Sequence, residues 1–397
     1  MGKVEIDHTG SGSGITLSSD GTDLLLDGTA IGGGGGADLY AANESSPSAQ
    51  PSATGTNAIA IGDSAVASGS NAVAFGQYAT SAGTRSVSIG HSYASGTDSF
   101  AAGIAASVNS FGATGNYSAA IGYRAKTTAT DSLAIGQNAL ASGSRSTAIS
   151  KSYTSGNDSF AAAITNNTSS YGATGSNSIA GGYLNKASSS DSLCWGGDTN
   201  ICHNSQSAIV GGQLNDCSGG YSFITGGYNN NILGTYSRAG GKDADTGDNL
   251  GKDAYASGKF SSRGDCQTAK RILMRSTTDA TATVLTAQGN APNTANQVVL
   301  PNNSAYAFHG TIVAREKASE GTECAAWKVE GLIRREANAG TTVLVNSATT
   351  VLDNTPNWGM ALSANTSLGC LKIEVTGAAS TDIRWVATIH TSEVTYA

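Results

Sequence analysis

The sequence predicts an all-β chain: an N-terminal hairpin, a shaft of stacked parallel β-coils of 14–15 residues, and a C-terminal antiparallel β-sandwich. Three observations predict it. First, the chain repeats itself from Asn57 to Gly241. Gly62, Gly76 and Gly90 are 14 residues apart, as are Gly122, Gly136 and Ser150, while Gly181, Gly196, Gly211 and Gly226 are 15 apart. A longer period of 60 returns Tyr93, Phe100, Gly115 and Gly122 as Tyr153, Phe160, Gly175 and Gly182. Self-similarity at a fixed period marks stacked units rather than one globular core. Second, small or aliphatic residues alternate within each unit, as in Asn57-Ala58-Ile59-Ala60-Ile61 and Ser64-Ala65-Val66-Ala67, which is the period of a strand with one buried face. Third, the repeats stop near Gln267 and longer alternating runs replace them.

The elements follow in chain order. Residues 1–40 read as an attachment module. Gly14 to Gly28 carries two apolar runs around Ser19-Asp20-Gly21-Thr22, the pattern of a hairpin. Gly32 to Gly36 reads as a hinge, and residues 41–56, with Ser45 to Thr56 rich in Ser, Pro and Ala, as a linker. The hinge glycines are not a phosphate loop, because no GxxxxGK[ST] follows them.

The shaft is residues 57–241. A coil of this length is too short for a helical crossover, so it must be all-β. Gly and Asn supply its positive-φ turns. Coils stack about 4.8 Å apart, so roughly 13 of them give a rod of about 60 Å. The inward residues are mostly Ala, and such an interior buries little apolar area. Aliphatic residues that do not fit inside one coil need a partner chain, and a parallel homotrimer is the expected assembly. Residues 242–266 read as a connector.

Residues 267–397 hold nine strand-like runs and three of the four Trp, which reads as a sandwich with its own core. The runs are 271–276, 282–286, 297–300, 305–316, 325–336, 342–346, 358–363, 371–376 and 383–394.

The repeat Asn57-Ala58-Ile59-Ala60-Ile61-Gly62, with Ser86-Val87-Ser88-Ile89-Gly90 and Ser132-Leu133-Ala134-Ile135-Gly136, resembles the head repeat of YadA-like trimeric adhesins. The resemblance covers residues 55–185 and, as a Gly-Gly variant, 186–241. It implies a left-handed parallel β-roll, a trimer and a surface-exposed head. The C-terminal segment is similar to domains on fibre-like proteins of marine cyanobacterial phages. Asn296 to Phe308, Trp327 to Arg335 and Ile383 to Thr388 carry that likeness. It implies a virion appendage with the globular tip at the C-terminus.

Composition narrows the function. Only 13% of residues are charged while Gly numbers 52, which suits a fibrous repeat. The net charge of −7 with no basic run argues against nucleic acid as a partner. Met1 to His8 lacks the apolar core of a signal peptide, and no run reaches the ~18 apolar residues of a membrane span. The expectation is therefore assembly in the host cytoplasm and display on a virion, without membrane insertion. Cys194, Cys202, Cys217, Cys266, Cys324 and Cys370 are irregularly spaced and read as free, mostly buried thiols. Cys202-His203 could recruit zinc, but no CxxC pair accompanies it.

Candidate chemistry is sparse. Asp98, Asp131, Asp158 and Asp191 fall at equivalent turns and read as turn formers rather than a cation or sugar ladder. Glu316, Glu320, Glu323, Glu330 and Glu336 cluster, with Lys328 and Arg334 on the parity of Glu330, and read as a solvated or salt-bridged face rather than a glycosidase pair. His309 and His390 read as lone structural histidines. Arg263-Gly264-Asp265, a cell-attachment tripeptide, reads as a turn, and Trp195 as a plug inside a widened coil. The expectation is no catalytic residue, no cofactor and no metal. The function expected is a homotrimeric tail fibre or spike that binds a host-surface glycan or protein. Alternatives are a capsid decoration fibre, a tailspike glycan depolymerase and a cellular trimeric adhesin.

Overall fold

The computed structural model describes residues 4–6, 15–19, 24–26, 29–30, 49–104, 110–165 and 168–396. The chain divides into two compact units, Met1–Arg124 and Ala125–Ala397. Among the described residues there is no α-helix; the one helical turn is the 3-10 segment Ala339–Thr341.

The first unit opens with a four-stranded antiparallel sheet of Val4–Ile6, Ile15–Ser19, Leu24–Leu26 and Thr29–Ala30. Ile15–Ser19 and Leu24–Leu26 pair as the expected hairpin. Its turn at 20–23 and the glycine hinge lie outside the described residues.

Parallel coils follow, each contributing one strand to each of two sheets. One sheet runs Ile59–Ile61, Val73–Phe75, Val87–Ile89, Phe100–Ala102, Ala119–Ile121. The other starts earlier than expected, because Ser52–Ala53 in the presumed linker pairs with Val66–Ala67. The middle residue of each three-residue strand turns inward, so Ala74, Ala101 and Ala120 are buried against Ala67, Ala94 and Ala113. Only small side chains fit between sheets this close. Interior serines at the turns satisfy themselves locally: Ser86, Ser99 and Ser118 each donate to the carbonyl three residues earlier, at 2.7 Å, whereas Ser88 in mid-strand has no partner. This explains the Gly-x-x-Ser signature of the repeat. A Cβ on Gly83 would overlap the Gly96 carbonyl oxygen of the next coil, so glycine is required there.

The second unit continues the same design from Lys126–Thr127 and Leu133–Ile135 onward. Its register stacks Ile135, Ile149, Ala162, Gly181, Trp195 and Val210 in one column. The interior enlarges along the unit, from Ala134, Ala148 and Ala161 to Cys194, Ile209 and Ile224. Over this stretch a buried asparagine ladder appears: Asn185, Asn200, Asn215 and Asn230, all inaccessible or nearly so. Asn215 Nδ2 donates to Asn200 Oδ1 at 3.0 Å and to the Gly227 carbonyl at 3.1 Å. Asn215 Oδ1 accepts the Asn230 backbone N–H at 3.0 Å. The ladder holds each Gly-Gly corner to the next coil.

The coil series does not stop at Gly241. Asp253–Ser257, within the presumed connector, pairs in parallel with Arg238–Lys242. Its other edge pairs antiparallel with Cys266–Thr277. Each of the nine C-terminal runs read from the sequence is a strand. Five form one antiparallel sheet, in the order Cys266–Thr277, Ile383–Thr395, Ser304–Glu316, Cys324–Arg335, Val343–Asp353. The smaller sheet joins Thr283–Val284, Val298–Val299 and Gly359–Asn365 to Cys370–Thr376. Both sheets contribute to one core around Trp327, Trp358 and Trp385, with Trp385 5.8 Å from each of the other two. Trp385 Nε1 donates to Thr277 Oγ1 at 2.9 Å.

Candidate interaction surfaces

Because the middle residue of each short strand points inward, the first and third point out. Many third positions are large and exposed: Phe75, Ile89 and Ile121 in the first unit, and Ile135, Ile149, Trp195 and Val210 in the second, whereas Ala102, Ala162 and Gly181 are small. Trp195 is 44% exposed and is not a plug inside the coil. Cys194 takes the interior place, so its neighbour must face out. The indole lies over Gly181, whose added Cβ would meet it at 2.5 Å, and its ring centre is 6.2 Å from that of Phe160. Exposed apolar groupings of this kind mark interaction surfaces.

The repeat-equivalent aspartates occupy left-handed backbone positions with φ between 53 and 56°. Their side chains do more than shape turns. Arg85 makes a bidentate bond to Asp98, both contacts at 2.6 Å, and Arg145 makes the same bond to Asp158 at 2.5 and 2.7 Å. The Arg85 hydrogen bonds hold the Asp98 carboxyl below its ordinary range. Asp191 accepts from Asn177 at 3.0 Å. Asp98, Asp158 and Asp191 thus bridge one coil to the next.

Cys194, Cys202, Cys217 and Cys370 are buried, whereas Cys266 and Cys324 are exposed. Cys194 and burial push the Cys202 thiol up, and burial pushes Cys217 up to about 12. Thiols held protonated are poor nucleophiles and poor metal ligands. Cys202 faces inward and donates to the Leu193 carbonyl at 3.0 Å. His203, one residue on, is exposed 3.8 Å from Asp216. No group of three metal-ligating side chains occurs among the described residues.

In the C-terminal domain, Glu330 stands on the outer face of the large sheet, 3.9 Å from Lys328 and largely exposed. Arg334 pairs with Glu336 at 3.7 Å. Glu330 therefore lacks the apolar pocket that a glycosidase acid needs. His309 and His390 are not lone: they sit opposite each other on adjacent strands, rings 5.3 Å apart and nearly parallel at 11°. Asp265 of the Arg-Gly-Asp tripeptide is buried. Its carboxylate accepts the backbone N–H groups of Phe260, Ser261 and Ser262 at 2.9, 2.7 and 2.7 Å. The tripeptide is thus a loop clamp, and the side chain it presents is Phe260, 77% exposed.

Sequence reasoning missed one buried cluster altogether. Lys252 Nζ meets Glu393 Oε2 at 2.7 Å, and Arg271 Nη1 meets Glu393 Oε1 at 3.2 Å, with all three side chains at most 3% exposed. Burial would raise the Glu393 carboxyl, but Lys252 and Arg271 outweigh it and bring it down to about 2.

The fold and its surface together define a parallel β-solenoid with adhesin-type head repeats. Residues 53–79, 67–92, 113–139 and 128–149 match the family profile described as YadA head domain repeat. No curated protein matches the chain. Among solved structures it is similar to the tailspike protein gp49 of Acinetobacter baumannii bacteriophage Fri1, described as a capsular polysaccharide depolymerase. That likeness has a TM-score of 0.20 and 11% identity, and covers 84% of this chain and 66% of that one. It is also similar to the tailspike of Acinetobacter baumannii phage AM24, with a TM-score of 0.18 and 9% identity, over 81% of this chain and 56% of that one. The chain spans less than two thirds of either tailspike. Overlap this slight leaves function to be argued from the chain's own residues.

Proposed function

We propose that this chain is a non-enzymatic structural protein of a virion: a homotrimeric fibre or spike that adheres to a host surface. The N-terminal sheet would attach it to the particle, and the C-terminal domain would meet the receptor, a cell-surface glycan or protein. The observation that carries the reading is the apolar column on the outer face of the coils. Ile135 with Ile149, and Trp195 with Val210, stand as two exposed pairs of one register column, with Ala162 and Gly181 between them, on a face that water would otherwise wet. An isolated coil gains little from its Ala-lined interior, so burying these columns against second and third copies supplies what the interior lacks. The YadA head repeats support the adhesive role. Three weak sites on one assembly raise effective concentration and lengthen residence on a surface.

The test is native mass by sedimentation, before and after heating in detergent. The expected result is a heat-resistant particle of three 39.6 kDa chains. A monomer would overturn the trimer and the multivalency argument with it. Antibody labelling of purified particles tests the virion assignment, and absence of label from every particle would refute it.

A further inference from the structure

We propose that Arg315 and Arg384 form a subsite for an oxyanion carried by an acidic glycan: the carboxylate of a uronic acid or a sulfate ester. The ligand class deepens the adhesive reading above and takes its biological meaning from it.

Arg315 and Arg384 are direct partners on adjacent antiparallel strands, and both side chains are exposed. Directly opposed residues hold their Cβ atoms about 5 Å apart, and like charges so placed repel. A fold gains nothing from such a pair unless something anionic sits between them. Two of the carboxylates nearby are already ion-paired. Lys317 holds Asp382 at 3.0 Å and Glu320 at 3.3 Å. Glu316 accepts the backbone N–H of Glu323 at 3.2 Å. Arg315 keeps one bond, from Nη1 to the Glu323 carbonyl at 2.8 Å, which fixes its stem and leaves its charge unpaired.

The two arginines border a cleft of about 510 Å³ that Ser276, Thr277 and Thr278 also line. Ser276 is the partner of Arg384 on the other side, so hydroxyl, guanidinium and guanidinium form one cross-strand row. Guanidinium forks match the planar carboxylate and the sulfate group, and give two parallel hydrogen bonds where lysine gives one point charge. The Ser276 and Thr278 hydroxyls beside them suit the ring hydroxyls of a sugar.

The experiment uses the full chain with three probes: trigalacturonate, its methyl ester and a sulfated trisaccharide. Binding is read by calorimetry, and melting temperature is read in sulfate against chloride at matched ionic strength. Wild type should bind at least one of the acidic probes, and the methyl ester about tenfold or more weakly, because the charge-assisted bonds are lost. Arg384→Gln and Arg315→Gln should each weaken that binding by a similar factor. The Arg315→Lys/Arg384→Lys double variant should fall between, keeping charge without the fork. Without ligand, Arg384→Gln should melt no lower than wild type, since it removes a repulsion; a purely structural arginine would not behave so. Binding of neither acidic probe overturns the proposal, as does equal binding of acid and ester where trigalacturonate binds, or undiminished binding by both Gln variants. Binding of inorganic sulfate with neither oligosaccharide bound overturns the glycan assignment. A fall in native mass for Arg384→Gln overturns it too, by making the pair an inter-chain contact. Failure of the trimer or of host adsorption, with uronate or sulfate binding intact, would sink the adhesive reading and leave the subsite standing.

Discussion

Replacing Asn215 with Ala tests whether the buried asparagine ladder carries the wider coils. The substitution removes the donors to Asn200 Oδ1 and the Gly227 carbonyl, at 3.0 and 3.1 Å. Both acceptors retain other donors: the Asn215 N–H to Asn200 and the Gln213 N–H to Gly227. Their loss is then about 1 kcal/mol each. The Asn230 backbone N–H, which donates to Asn215 Oδ1 at 3.0 Å, fares worse. It is left buried without an acceptor, at about 1–3 kcal/mol. The sum is about 3–5 kcal/mol. A solenoid is a chain of nearest-neighbour interfaces, so the damage should be local. Hydrogen exchange read by mass spectrometry should show protection lost around Asn215 and Asn230 and kept near Ile149 and in the C-terminal core. Urea unfolding should divide into two steps. Gln213→Ala is the control, because its side chain bonds Asp198 only at the exposed surface, at 2.8 Å, and should cost under about 1 kcal/mol. If Asn215→Ala unfolds within about 0.5 kcal/mol of wild type, the ladder is incidental and the reasoning fails.

Other predictions follow from the same contacts. Trp195→Asp and Ile149→Asp place a charge on the outer column without touching the interior; sedimentation should show native mass falling toward 39.6 kDa while the β-sheet circular dichroism is kept. Glu393→Gln leaves two buried cations unpaired and should destabilise the C-terminal domain by about 3–5 kcal/mol in thermal or urea unfolding. The pH dependence has a definite sign. Glu393 is held at about 2 against an ordinary 4.5. Its contribution, about 3 kcal/mol at about 1.4 kcal/mol per unit, is complete above about pH 4.5 and lost as pH falls toward 2. Wild type should therefore lose more stability over that window than Glu393→Gln, whose remaining loss comes from other depressed carboxyls such as Asp98 and Asp265. Asp265→Ala removes the acceptor of three backbone N–H groups; faster proteolysis at residues 260–262 is expected, with Phe260 no longer held out.

Much of this architecture was legible because strand physics writes directly into sequence. Alternation located all nine C-terminal strands, and the Gly and Asn punctuation located the coils. The error at Trp195 came from treating a large aromatic as core. Phe75, at the same third position, already showed that this place takes bulk and faces outward. The asparagine ladder was also written in the spacing, with Asn185, Asn200, Asn215 and Asn230 at 15-residue intervals behind the Gly-Gly corners. It was read as turn chemistry because the inward direction of a corner residue is not visible in a string. The Lys252–Glu393 contact spans 141 residues and joins a coil to a C-terminal strand. No local pattern can show it. The stacked histidines escaped for the same reason: their register depends on how two distant strands pair.

The strand Asp253–Ser257 is held by a coil on one edge and by Cys266–Thr277 on the other. A chain whose segments nearly duplicate one another offers many almost equivalent alignments, and a slip by a whole coil would cost few contacts. Such degeneracy is what a folding chain must resolve. The antiparallel pairs Tyr255–Thr268 and Asp253–Lys270 lie outside the repeat on one side and favour one alignment. If the C-terminal sheets form first, this seam would give the adjoining coil a unique template. The domain is then a datum for assembly as well as a terminus.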